Sequence, residues 1–127
     1  MFNERQKICI ANVVLTFTEN FMENGDTIFL AIVQKIFRDN LQIPFNEASL
    51  RSIPKINSMD VTQELSSLNA TQRDEFNNLM DTMLEAIELN PYYQEKVKRG
   101  ARTYLNAIKA TIRSILKFMK NYNLRIQ

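Results

Sequence analysis

The sequence predicts an all-α protein: a compact bundle of about five helices in one domain over residues 1–127. Three observations carry that reading. Only two Gly and three Pro interrupt 127 residues. Apolar residues recur at three- and four-residue spacing through most of the chain, the period of a helix with one buried face. The only strong strand candidate, Ile28 to Val33, has no second strand to pair with, and a strand needs partners to be stable.

The first helix is expected from about Asn3 to Met22. Ile8, Ile10, Val13, Val14, Leu15, Phe17, Phe21 and Met22 cover most of its circumference. Asn12, Thr16, Glu19 and Asn20 leave only a narrow polar strip. Such a helix belongs in the centre of a bundle or under a partner. Glu23-Asn24-Gly25-Asp26 reads as a turn in which Gly25 takes a positive φ. Asp26 then caps a second helix over Thr27 to Arg38, because Gln34, Lys35 and Arg38 continue a helical pattern.

Pro44 and Pro54 bracket two helical turns from Phe45 to Ile53, with Asn46 as cap. Lys55-Ile56-Asn57 is a connector. A short helix follows, with Ser58 as cap and Met59, Val61, Leu65 and Leu68 on one side. Thr71 with Asp74 three residues on predicts the start of the next helix as a near capping box. Its apolar residues Phe76, Leu79, Met80, Met83, Leu84 and Ile87 run to about Leu89. Asn90 is expected to cap a last long helix, Pro91 to Asn121, with Pro91 at its first position. Helices joined this tightly pack as an antiparallel hairpin.

Composition narrows the chemistry. The chain has no His, which excludes a Ser–His–Asp triad, a Cys–His pair and a His zinc ligand. Gly25 and Gly100 stand alone, so no glycine-rich phosphate loop exists. Cys9 has no partner for a disulfide or zinc site and is read as an inert buried thiol. No cofactor is expected. The first residues carry charges early and the longest apolar run has six residues, so a cytoplasmic protein without integral membrane association is the expectation.

The net charge of +2 hides a split. Residues 1–90 hold seven basic and thirteen acidic residues, a net of −6. Residues 91–127 hold nine basic residues and only Glu95, a net of +8. At about 100° per residue, Lys98, Arg99, Arg102, Lys109, Arg113, Lys117 and Lys120 fall within about 100° of the helical wheel. They form a ridge about 33 Å long. Val97, Ala101, Tyr104, Ile108, Ile112, Ile115 and Met119 centre on another side. Asp74, Asp81, Glu85 and Glu88 make an acidic ridge on the preceding helix. With the apolar stripes of the hairpin facing each other, both ridges are expected to point mostly outward.

The expected function is therefore non-enzymatic binding. The seven cations form the candidate anion-binding site, with nucleic acid or an acidic protein surface as partner. Clustered cations hold phosphates without reading bases. Two alternatives come from other features: a structural adaptor, a possible homo-oligomer, assembling through the apolar first two helices; and a metal protein using the acidic ridge. A solvated charged face is the plain reading of any such ridge.

Glu64-Leu65-Ser66-Ser67-Leu68 followed by Ala70-Thr71-Gln72-Arg73-Asp74-Glu75-Phe76-Asn77-Asn78-Leu79-Met80 resembles the TerB-like helical proteins associated with tellurite resistance. In that family a Leu-x-x-Leu, a short turn and an amphipathic helix recur in two helical halves. The resemblance covers about half of the chain and implies an all-α fold. The family's acidic Asp-Gly turn with a downstream Glu, its metal motif, is absent here, and no metal residue is carried over.

Overall fold

The computed structural model describes residues 1–121. Among them the fold is all-α, with six helices rather than about five and no strand. They are α1 (Glu4–Phe21), α2 (Thr27–Ile36), α3 (Glu47–Arg51), α4 (Ser58–Leu65), α5 (Ala70–Glu88) and α6 (Glu95–Asn121). A π-helical turn (Phe37–Leu41) extends α2.

The centre is α1. It packs against α4, α6 and the π turn, while α2 lies on α5. Cys9, Ile10, Ala11, Val14 and Phe17 have no exposed surface. Phe17, Phe21, Phe29 and Tyr104 form an aromatic cluster, with ring centroids 5.2 to 6.2 Å apart. Gly100 lies where α6 crosses that cluster: a Cβ there would come within 3.2 Å of the Phe21 ring. Phe17 and Phe29 are fully buried and Phe21 is half-buried, while Ile28 on α2 is 74% exposed.

Most starts and stops follow the sequence, and the exceptions have local causes. Gly25 takes φ +86° and Asp26 accepts from the Phe29 N–H, as expected. Asn46 caps α3 by accepting from the Ser49 N–H. The second helix does not continue regularly to Arg38. It widens into the π turn after Ile36 and stops at Gln42, which takes a left-handed φ of 52°. The wider turn lets Ile36, Phe37 and Leu41 all point into the core, which uninterrupted α-helical spacing would not do as well.

Two caps differ from expectation. Asn57, not Ser58, caps α4, its side chain accepting from the Asp60 N–H at 2.8 Å. Asn69 and Gln72, not Thr71 and Asp74, form the capping box of α5. Asn3 and Gln6 form the same box at α1. The two boxes interlock: Gln72 Nε2 donates to the Gln6 side-chain oxygen Oε1 at 3.2 Å and to the Met1 backbone carbonyl at 2.7 Å. One amide side chain so orders two helix starts, a link that Thr71 could not reach.

Asn90 and Pro91 do not open the last helix. Asn90 accepts from the Tyr92 N–H in a local turn, and α6 begins at Glu95. The extra turn carries Tyr93 inward until it is 5% exposed. Its phenol donates to Asp26 at 2.6 Å and accepts from the Glu23 N–H at 3.0 Å. This latch ties the α5–α6 loop to the α1–α2 turn. Burial, then the hydrogen bond to Asp26, pushes the Tyr93 phenol up to about 12.

Tyr93→Phe is expected to destabilise the fold by about 1–3 kcal/mol, the value of a hydrogen bond to a charged acceptor, measured by urea unfolding. The raised phenol also sets a pH window. Its stabilisation is complete below the unfolded value of about 10. It is lost as pH rises through about 12. The stability lost across that interval should be smaller in the variant.

Candidate anion-binding edge of the last helix

The position of α6 follows from what it buries. Ala101, Leu105 and Ile112 are its fully buried residues, spaced four and seven apart on one stripe. Leu105, at 1% exposure, is an anchor that the wheel reading left out of the apolar set. Its inclusion rotates the buried stripe toward the basic ridge. Lys98 lies seven residues before Leu105 and Lys109 four after, so both flank the stripe and are half-buried. Tyr104 lies on the opposite flank, against Phe17 and Phe21. That places it in the core edge rather than on a surface open to stacking.

The ridge is divided by the hairpin. Arg102 donates to Glu88 at 2.9 Å and Lys109 to Asp81 at 2.7 Å. Residue 102 meets 88 and 109 meets 81, so α5 and α6 run antiparallel. The acidic and basic ridges do not both point outward: their facing edges meet. Asp81 and Glu88 are the acids used, while Asp74 and Glu85 stay exposed. This zipper is legible only once the helices are side by side.

The remaining five cations have a different position. Arg99, Arg113, Lys117 and Lys120 are exposed and Lys98 is half-buried. Among the described residues none of the five is in an ion pair. Beyond Ile112 no α6 residue is fully buried. Three of these cations therefore sit on a stretch where Leu116 is half-buried against the core. Thr103, Asn106, Ala107, Ala110 and Ser114 are exposed, small and neutral beside these cations.

Other candidate groups are placed as follows. Cys9 is fully buried and its thiol is pushed up by burial. Among the described residues no group of three or more acids or Cys could hold a metal ion. No helix of the described residues is long and apolar enough to cross a membrane. Met80 and Met83 are buried, whereas Met59 is 76% exposed.

No protein-family model, no curated protein and no solved structure matches this chain.

Two outcomes test this geometry. A double-mutant cycle on Asp81 and Lys109 should give a coupling below about 1 kcal/mol, since the pair is partly solvated. Cys9 in the native protein should resist a thiol reagent, and the rate of labelling should follow unfolding.

Proposed function

We propose that the chain is a non-enzymatic binding module whose α6 edge holds an anionic partner, nucleic acid phosphates or an acidic protein surface. The observation that supports this is the division of the ridge. The protein's own acids engage Arg102 and Lys109. Lys98, Arg99, Arg113, Lys117 and Lys120 keep their charge available along one helix. A row of ammonium and guanidinium groups on one helix matches a line of phosphates or carboxylates. It displaces bound counterions on contact, a gain that needs no base-specific group.

The role of Arg102 and Lys109 in this reading is to hold α6 against α5. Binding is expected to be electrostatic, without sequence choice, and to come from a cytoplasmic protein with no bound cofactor.

Fluorescence anisotropy with a labelled 20-base-pair duplex, and with polyglutamate as the acidic-polypeptide probe, tests the proposal. Affinity for one of them should fall steeply with salt. Combined reversal of Arg99, Arg113 and Lys117 to Glu should abolish it, while Glu85→Gln leaves it unchanged. For the duplex, replacing one of these cations by Ala should reduce the salt slope by about 1. Equal binding by the reversed and native proteins would sink the proposal.

A further inference from the structure

The polar strip of α1 has a second consequence. Asn12, Thr16 and Glu19 lie on one side of this central helix and together line a trough. Asn12 builds its wall. The Asn12 amide donates to the carbonyls of Ile8 and Pro54 at 2.9 and 3.0 Å and accepts from the Ile56 N–H at 3.0 Å. The connector between α3 and α4 is thereby pinned across α1.

Two cavities beside that pin share Asn12, Thr16 and Ile56 as lining. One has a volume of about 300 Å³ and mostly apolar walls, including Val13, Val61 and Ile108. The other is about 540 Å³ and holds Leu15, Leu50 and Ile53 beside charged groups. Each lies within the range of small-molecule sites, about 300–1,000 Å³.

The charged groups of the larger cavity differ in kind. Glu47 and Arg51 neutralise each other on α3. Glu19 and Lys55 also line the larger cavity, and neither is in an ion pair among the described residues. The Tyr104 phenol lines the smaller cavity together with Thr16. Burial pushes this phenol up, so it is protonated at neutral pH and able to donate. Its ring is fixed between Phe17 and Phe21 at 6.2 and 5.7 Å, so the hydroxyl is held in place.

We infer that this trough binds a small zwitterion with an apolar body, an amino acid with a large apolar side chain. The side chain enters the slot beside Val13, Val61 and Ile108. The carboxylate meets Lys55 and the Tyr104 hydroxyl, and the ammonium meets Glu19. One opposite charge for each free rim charge, joined to an apolar body, distinguishes this ligand from a fatty acid, which Glu19 would repel. The site is separate from the cations of α6.

Calorimetric titration of the full chain with L-phenylalanine is the test. Saturable binding with a dissociation constant below about 10 mM is expected, an affinity within reach of a few hydrogen bonds and one buried ring. Tyr104→Phe, Lys55→Ala and Glu19→Gln should each weaken it about 2- to 10-fold, the worth of one lost hydrogen bond. Their thermal unfolding should match the native protein, since Tyr104→Phe keeps the ring contacts and the other two side chains are exposed. N-acetyl-L-phenylalanine and L-phenylalaninamide, each lacking one charge, should bind more weakly than the parent. No saturation at 10 mM, or equal binding of the parent and both analogues, would overturn the inference.

Discussion

A helix that is apolar around most of its circumference has to be wrapped, and the wrapping of α1 sets the rest of this structure. Each buried aliphatic or aromatic side chain is worth about 1.5–3 kcal/mol of transfer free energy, and α1 contributes Cys9, Ile10, Val13, Val14 and Phe17 to the core. Such a helix cannot lie on a surface. The π turn, α4 and α6 each cover one of its sides, and the single strip that none of them covers becomes the trough. The position of the cavities is therefore a by-product of the same burial that stabilises the fold.

A fold of several short helices leaves many chain ends and connectors to be fixed, and amide and hydroxyl side chains fix them. Gln6 and Gln72 join two helix starts. Asn12 clamps the connector, and Asn40 donates to Glu75 at 2.9 Å, holding the π turn to α5. Tyr93 closes the opposite end on Asp26. Buried backbone groups at chain crossings need partners. The many Asn and Gln residues supply both a donor and an acceptor in one planar group.

The electrostatic layout follows from the hairpin. Bringing an acidic helix beside a basic one neutralises only the edges that touch. Arg102 and Lys109 lie on the α5 side of α6, next to the buried stripe, and find Glu88 and Asp81. Arg99, Arg113 and Lys117 point further round the helix. A near-neutral protein thus retains a positive edge, and a mean charge says little about the field at one surface.

The all-α class, the central place of α1, the Gly25 turn, the Asp26 and Asn46 caps, the antiparallel hairpin and the cationic stripe were all legible in the sequence. Each depends on residues within one or two helical turns, where spacing and side-chain chemistry act directly. The Asn57 and Asn69 caps were missed by one or two residues, because Ser58 and Thr71 offer the same local chemistry. Only the packed structure separates them, through the reach of Gln72 to Gln6 and Met1. The start of α6 was misplaced because Tyr93 is drawn inward by Asp26, 67 residues away. The anchor Leu105, the pairing of two ridge cations and the trough beside Asn12 likewise exist only between elements. Periodicity gives the face of a helix but not the rotation at which a neighbour meets it. A shift of a few tens of degrees in α6 turned two cations of the ridge into structural ion pairs, left Lys98 half-buried and left four facing solvent.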